Sequence, residues 1–117
     1  MSKLVLVVDD DDTAIRRHKS VLEEYDIVVV SATTLERAVV LYKEYAGKLS
    51  AIIVDGCVPG NVLNSIPFIE LVLEDSFRGF LVAASGSASY RKIMVASGCH
   101  HQSNKYSAAD MVVQLLQ

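Results

Sequence analysis

The chain has 117 residues, of which 51% are hydrophobic and 21% are charged, a balance typical of one globular domain and not of a disordered segment. Its net charge of −3 lacks the basic surplus of nucleic-acid-binding domains, so no direct contact with nucleic acid is expected. Cys57 and Cys99 form no CxxC pair, and no apolar run has the length of a leader core or a membrane span, which leads us to expect a reduced, cytoplasmic protein without membrane contact.

Short apolar runs rich in β-branched residues alternate with longer amphipathic segments. In chain order, the predicted elements are strand Leu4–Val8, helix Thr13–Tyr25, strand Ile27–Val30, helix Thr34–Tyr45, strand Ala51–Val54, helix Ser65–Glu74, strand Phe80–Ala84, helix Tyr90–Ser97, a more polar strand near His100–Asn104, and helix Ala108–Leu116. Asp12 or Thr13 is the expected N-cap of the first helix. Strands without polar alternation suit a parallel sheet that is covered on both faces. The alternating order therefore predicts a doubly wound α/β fold.

Residues that can carry chemistry follow the ends of four predicted strands. These residues are Asp9 and Asp10 after the first strand, Asp55 after the third, Ser85 after the fourth and Lys105 after the fifth. In open parallel sheets, sites lie beyond the carboxyl ends of the strands, where the strand order reverses. If the first and third strands are neighbours, at least three carboxylates meet there and raise one another's pKa. A divalent cation would relieve this repulsion, and Mg²⁺ prefers such oxygen ligands.

These segments resemble the receiver domains of response regulators in two-component signalling, of the chemotaxis-regulator type. The matching segments are VVDDDD, IIVDGCVP, LVAASG and SNKY, together with ASGCHHQSNK from the fourth helix through the fifth strand. The resemblance covers essentially the whole chain, so it implies one receiver domain over residues 1–117. It also implies a five-stranded parallel sheet of flavodoxin-like order 2-1-3-4-5 with five helices.

The same resemblance implies a role for each residue at the strand ends. Asp55 would accept a phosphoryl group, Ser85 would bind a phosphoryl oxygen, and Lys105 would pair first with Asp55 and then with the phosphate. The implied ligands of Mg²⁺, or of Mn²⁺, are Asp9, Asp10, Asp55 and the backbone carbonyl of Cys57. The chain would not be a conventional enzyme, although it would catalyse its own phosphorylation and dephosphorylation. Its partners would be a sensor histidine kinase or histidine phosphotransfer protein, and an output protein or effector domain that the sequence does not identify.

Several positions depart from the family's pattern, among them His100 and His101, which replace small or acidic residues. Tyr106 stands where a proline usually follows the lysine, and Leu63 stands where the loop after the acceptor usually has glycine. Gln102 stands where the fifth strand usually carries an aromatic residue that moves on activation. The acidic pocket thus has the family's residues, whereas the face of the fourth helix, fifth strand and fifth helix is expected to read out phosphorylation in a muted form.

Two other functions remain open. One is a receiver-like binding module that does not depend on phosphorylation, which Gln102 and Tyr106 motivate. The other is a phosphatase of the haloacid-dehalogenase type, because Asp9-x-Asp11-x-Thr13 fits its DxDx[TV] signature. That alternative leaves Asp55 unexplained and lacks a second acidic pair after the lysine. The sequence also leaves open whether the chain is a stand-alone regulator or part of a longer one.

The histidines favour structural roles over chemical ones. His100 and His101 are adjacent on a predicted strand and point to opposite faces, so they are interpreted as surface or edge residues and not as a metal pair. His18 falls on the apolar side of the first predicted helix and is expected to be packed.

Overall fold

The computed structural model of the chain describes residues 2–117, in which strands and helices alternate as the sequence predicts. The strands are β1 (Leu4–Val8), β2 (Val28–Ala32), β3 (Leu49–Val54), β4 (Phe80–Ala84) and β5 (His101–Ser103). The helices are α1 (Asp12–Glu23), α2 (Leu35–Tyr45), α3 (Ile66–Glu74), α4 (Ala88–Ala96) and α5 (Ala108–Leu115). Within this described range, no helix combines the length and the apolar character of a membrane span.

The five strands form one parallel sheet in the order β2-β1-β3-β4-β5, which confirms the predicted α/β fold and strand order. Val8, the last residue of β1, pairs with Ala32 of β2 on one side and with Val54 of β3 on the other. The strand order reverses at β1, because the chain moves outward to β2 and then returns to β3. The segments that follow β1 and β3 therefore lie side by side at the carboxyl edge of the sheet.

Helices cover both faces of the sheet. Leu6 and Ile52 belong to a core cluster with residues of α2, α3 and α4, including Tyr42, Phe68 and Met94. The alternate strand residues, such as Val7 and Ile53, belong to a second cluster with residues of α1 and α5. Both sets of strand side chains are buried, since successive residues of a strand point to opposite faces. This arrangement accounts for the unbroken apolar runs in the sequence.

The first helix begins differently from the prediction. Its N-cap is Asp11, and not Asp12 or Thr13, because Asp11 has an extended backbone and its carboxylate accepts a hydrogen bond from the N–H of Thr13. The helix ends at Glu23, two residues before the predicted end, and Tyr25 lies beyond it with 54% of its surface exposed. The aspartate that caps α1 is therefore the third of the acidic run, which leaves Asp9 and Asp10 in the segment between β1 and the helix.

The fourth helix also begins earlier than predicted, at Ala88 and not at Tyr90. The hydroxyl of Ser87 accepts a hydrogen bond from the N–H of Tyr90 and caps the helix. Ser89, which precedes the predicted start of the helix, is consequently helical. The helix ends at Ala96, one residue before the predicted end, and Gly98 follows with a φ of 127°, a conformation that glycine adopts without strain.

Candidate functional site

Two aspartates continue the backbone pairing of the sheet beyond the strand ends. The N–H of Asp9 donates to the carbonyl oxygen of Ala32 over 3.0 Å, and the N–H of Asp55 donates to that of Val8 over 2.9 Å. Their side chains are buried, with 2% of Asp9 and 7% of Asp55 exposed, whereas Asp10 is exposed. The sheet therefore holds two carboxyl groups in nearly fixed positions under a third that faces solvent.

The three carboxyl groups converge as the sequence predicts. One carboxylate oxygen from each of Asp9, Asp10 and Asp55 lies within 4.8 Å of the others, a separation at which they could share a metal ion. All three offer hard oxygen atoms, which suit Mg²⁺ or Mn²⁺ better than a softer metal. The donor chemistry of this acidic cluster, defined as Asp9, Asp10 and Asp55, thus fits a small divalent cation.

Burial and like charge make the acidic cluster unfavourable without a cation. Burial is the main cause that raises the pKa of Asp55 to about 6, and the nearby charge of Asp9 adds to it. Burial likewise raises the pKa of Asp9, although the N–H of Asp11, which donates to its carboxylate over 2.9 Å, lowers it in part. The protein therefore keeps Asp55 ionised at neutral pH at a cost in stability.

Lys105 supplies positive charge to this cluster. Its Nζ lies 3.4 Å from Oδ1 of Asp9 and 3.7 Å from Oδ2 of Asp55. Partial burial acts to lower the pKa of Lys105, but the two carboxylates outweigh that effect and the pKa is raised. The lysine is consequently an ammonium group at any physiological pH. One positive charge facing three carboxylates leaves an excess of negative charge, in which a divalent cation would be stabilised.

The turn that carries Lys105 is shaped without a proline. The side-chain oxygen of Asn104 accepts hydrogen bonds from the N–H groups of Tyr106 and Ser107, over 2.9 Å and 3.0 Å. Asn104 thereby organises the connection between β5 and α5, as asparagine commonly does in tight turns. Tyr106 itself is 64% exposed, and its ring lies under the guanidinium group of Arg17, 5.0 Å from it. The tyrosine in place of proline therefore does not displace the lysine from the site.

Ser85, the residue after β4, lies on the same edge of the sheet. It is 4% exposed, and its hydroxyl accepts a hydrogen bond from the N–H of Ser87 over 3.1 Å. A methyl group placed on Gly56 would come within 3.7 Å of the Ser85 hydroxyl, so this hydroxyl faces the backbone directly after Asp55. The same methyl group would lie 3.1 Å from Leu63, which packs against Gly56 in a partly buried position.

The loop after β3 is ordered by one side chain. The carboxamide of Asn64 accepts from the N–H of Val58 over 2.7 Å and donates to its carbonyl oxygen over 3.0 Å. Cys57 precedes this clamp and is partly buried, and burial followed by the charge of Asp55 raises the pKa of its thiol. Across residues 2–117, no backbone N–H outside the helices and strands donates to the carbonyl oxygen of Cys57.

Several residues of the site were not found from the sequence. They are Asn64 and Asn104, which order two loops, and Tyr90 and Arg91, which extend from α4. The hydroxyl of Tyr90 donates to the carbonyl oxygen of Asn61 over 3.0 Å and joins α4 to the loop after β3. The contact of Tyr90 joins segments that are far apart in the chain, which no local sequence pattern marks, whereas asparagine before a turn is a local signal that could have indicated Asn104.

The histidines lie as the sequence predicted. His100 is exposed, and its Nδ1 accepts a hydrogen bond from the N–H of Leu81, while the ring of His101 packs at 5.8 Å from that of Phe80. His18 is 1% exposed, and neither ring nitrogen has a hydrogen-bond partner within the described part of the chain. Burial, together with the positive charges of Lys105 and Arg17, lowers its pKa to about 4. His18 is therefore a neutral core residue at physiological pH.

The strand order and the position of the acidic cluster define the class of fold: this chain has the fold of response-regulator receiver domains. A response regulator from Burkholderia pseudomallei, with a phosphorylated aspartic acid, a calcium ion and citrate, matches it with a TM-score of 0.81 at 20% identity, over 99% of this chain and 67% of that one. The chemotaxis response regulator CheY4 of Vibrio cholerae matches with a TM-score of 0.80 at 19% identity, over 100% and 98% of the two chains.

A response regulator from Thermotoga maritima is similar to the same degree, with a TM-score of 0.80 at 18% identity over 99% of this chain and 95% of that one. No protein-family model matches the chain, and no curated protein is similar to it in sequence. At such identities the likeness establishes the fold, while the function has to be argued from the residues of the site.

Proposed function

We propose that the chain is a receiver of two-component signalling, in which Asp55 accepts a phosphoryl group from a histidine kinase or a histidine phosphotransfer protein. In this proposal residues 1–117 form the receiver domain, and phosphorylation changes a surface that binds an output protein or effector domain. The observation that carries the proposal is the position of Asp55, buried within 4.8 Å of two other carboxylates and 3.7 Å from the ammonium group of Lys105. A regulator of the same fold contains a phosphorylated aspartic acid and a calcium ion.

The proposed reaction is a phosphoryl transfer to a carboxylate. An oxygen of Asp55 attacks the phosphorus of a phosphohistidine, the P–N bond breaks, the imidazole leaves with the bonding electrons, and an acyl phosphate forms. Attack by water on that phosphorus later returns the free carboxylate and inorganic phosphate. The nucleophile must be ionised, and a pKa of about 6 leaves most of Asp55 ionised at neutral pH. The protein's contribution is then to orient the carboxylate and to balance charge.

Asp9, Asp10, Asp55 and the carbonyl of Cys57 would hold the divalent cation. When bound, Mg²⁺ supplies positive charge beside the phosphoryl oxygens, where negative charge accumulates during transfer. Among residues 2–117, Lys105 is the one cation paired with the acidic cluster, and its ammonium group already contacts Asp9 and Asp55. Because three carboxylates face one ammonium group, the site keeps a net negative charge that would stabilise a bound divalent cation.

Ser85 and Lys105 would bind the phosphoryl group once it is attached. The Ser85 hydroxyl accepts a hydrogen bond from Ser87 and has its own proton free to donate to a phosphoryl oxygen. The ammonium group of Lys105 would move from the carboxylates to the phosphate, which carries more negative charge. Both residues therefore stabilise the phosphorylated form more than the free form.

The test is incubation with acetyl phosphate and Mg²⁺, followed by intact mass measurement and peptide mapping. We expect the mass of one phosphoryl group on Asp55 and none in Asp55→Asn. The matched control is Asp12→Asn, which removes an exposed carboxylate from the first turn of α1 and should be phosphorylated like the unmodified chain. Phosphate on Asp9 would instead support the haloacid-dehalogenase alternative.

The structure offers little support to that alternative. Its second aspartate would be Asp11, whose carboxylate is exposed and caps α1 by accepting from the N–H of Thr13 over 2.9 Å. The Asp11 carboxylate is engaged in this hydrogen bond to the helix and is not one of the converging carboxyl groups.

The other alternative, a binding module that does not depend on phosphorylation, is favoured by one observation, the exposed Gln102 on β5. A chain that gains no phosphoryl group would support it.

A further inference from the structure

Ser85 accepts two hydrogen bonds from residues at the start of α4, one from a side chain and one from a backbone N–H. The guanidinium Nη1 of Arg91 donates to the carbonyl oxygen of Ser85 over 2.6 Å, and the N–H of Ser87 donates to the Ser85 hydroxyl over 3.1 Å. Arg91 and Ser87 are themselves joined, since the N–H of Arg91 donates to the carbonyl oxygen of Ser87 over 3.0 Å. The backbone and the hydroxyl of Ser85 are thus held separately from one helix.

The same guanidinium group also contacts β5. Its Nε donates to the side-chain oxygen of Gln102 over 3.4 Å, on the exposed side of the strand. Gln102 pairs with Ala83 in the sheet, two residues before Ser85. Arg91 therefore spans the gap between the end of β4 and the outer surface of β5. A planar guanidinium group donates in two directions with fixed geometry, which the single ammonium group of a lysine does not.

We infer that Arg91 is a positioning residue for Ser85, an inference that rests on the proposed phosphorylation of Asp55. Binding of a phosphoryl oxygen requires the Ser85 hydroxyl to give up its contact with Ser87 or to share it. Arg91 holds the Ser85 carbonyl in place while the hydroxyl turns, so that the backbone at the end of β4 does not retreat from Asp55. Gln102 in turn orients the guanidinium group by accepting its second hydrogen bond. Because Gln102 is exposed, this contact links Ser85 to the surface of β5.

Arg91 has no competing ionic role in the described chain. The ion pairs found over residues 2–117 both belong to Lys105, and the strongest contact of Arg91 is with a neutral carbonyl oxygen. Its effect on the reaction should accordingly be transmitted through Ser85 and vanish when Ser85 has no hydroxyl. A purely structural role, by contrast, would act independently of that hydroxyl. This difference makes the inference testable by combining variants.

The experiment measures the rate at which acetyl phosphate phosphorylates Asp55 in the full chain in the presence of Mg²⁺. The variants compared with the wild type are Arg91→Met, Arg91→Lys, Ser85→Ala and the Ser85→Ala/Arg91→Met double variant. We expect Arg91→Met to lower the rate about tenfold, the fold-change of one charge-assisted hydrogen bond, and Arg91→Lys to lower it less. The double variant should be no slower than Ser85→Ala alone. Lys92→Met is the matched control, because Lys92 is the exposed neighbour on the same helix and should leave the rate unchanged.

Circular dichroism spectra of all variants establish that each is folded, and Arg91→Lys keeps the positive charge if Arg91→Met is unstable. A wild-type rate in both Arg91 variants would overturn the inference while leaving Asp55 as the acceptor. Effects of Arg91→Met and Ser85→Ala that multiply in the double variant would also overturn it, since they would show that Arg91 acts apart from the hydroxyl. A wild-type chain that gains no phosphoryl group would instead refute the proposed function, and the inference with it.

Discussion

Two regions of the molecule differ in burial and charge. One is the acidic edge, which consists of the acidic cluster at the ends of β1 and β3, and the other is the contact between α4 and β5. At the acidic edge, Asp9 and Asp55 are buried, repel each other and are held by backbone pairing within the sheet. At the other contact, Arg91 and Gln102 are partly or fully exposed and are joined by ordinary hydrogen bonds. The acidic edge has the residues that the resemblance to receiver domains implies, whereas Gln102 at the α4–β5 contact departs from that pattern.

The proposed function accounts for this difference. Accepting a phosphoryl group requires several charges at fixed short distances, and few residue types provide them. In the inference above, connecting the site to the surface requires a side chain that contacts Ser85 and reaches outward, and Arg91 makes both contacts. The acidic edge should therefore be costly to stability and sensitive to substitution, and the α4–β5 contact should be neither.

The largest effect on stability is expected from Asp55→Asn. Burial raises the pKa of Asp55 from 3.8 to about 6, so ionisation at pH 7 costs the folded state about 3 kcal/mol, and the amide should recover much of this. Chemical denaturation at pH 7 with a chelator measures the gain, and Asp12→Asn should change stability by less than about 0.5 kcal/mol. An unchanged or lower stability of Asp55→Asn would show that the acidic edge is not strained.

A second effect comes from His18, on the side of α1 that lies near Lys105. Its folded pKa of about 4 lies below the unfolded value of 6.5. The free energy of unfolding is therefore independent of this group above pH 6.5 and decreases as the pH falls from 6.5 to about 4. His18→Leu also removes two unpartnered nitrogens, and should stabilise the protein by about 1–3 kcal/mol at pH 7.

The measurement for His18 is the difference in unfolding free energy between the wild type and His18→Leu, followed from pH 7 to pH 4. The difference should widen as the pH falls, because His18 of the unfolded wild type takes up a proton below pH 6.5 while the buried ring of the folded state stays neutral until about pH 4. The raised pKa of Asp55 acts in the opposite sense over the same range, and taking the difference cancels it. A constant difference would mean that His18 is hydrated or paired in solution.

Metal affinity should show the next largest effect. Asp10→Asn removes one of three converging carboxylates and should weaken Mg²⁺ binding by about tenfold or more, while Asp12→Asn should leave it unchanged. Titration followed by amide chemical shifts measures both. Asp55→Asn alone should weaken binding less than the Asp10→Asn/Asp55→Asn pair. Equal Mg²⁺ affinities of the wild type and Asp10→Asn would contradict the proposal that the acidic cluster binds the metal.

The smallest effect is expected at Gln102. Gln102→Leu loses one long hydrogen bond from Arg91 at an exposed position, so the unfolding free energy should change by less than about 0.5 kcal/mol. A larger loss would show that the α4–β5 contact also supports the fold, and the contrast between the two regions would then fail. Thermal and chemical denaturation at pH 7 provide the comparison.

The sequence by itself determined the order of the elements and the residues of the acidic edge. β1 and β4 were predicted with their observed ends, because unbroken apolar runs bounded by polar residues are a local signal of buried parallel strands. Asp9, Asp10 and Asp55 were found for the same reason, since a site residue directly after such a strand is marked by its neighbours in the chain.

Only the tertiary structure decided what depends on distant or competing partners. Any of several aspartates in the run could cap α1, and the backbone conformation at Asp11 selected one of them. The contacts of Arg91 with Ser85 and Gln102 join side chains to groups of other elements, which no short pattern relates. Burial likewise decided that the Asp55 carboxyl would titrate near pH 6 and the His18 ring near pH 4, because the cost of charge depends on the solvent that the folded chain excludes.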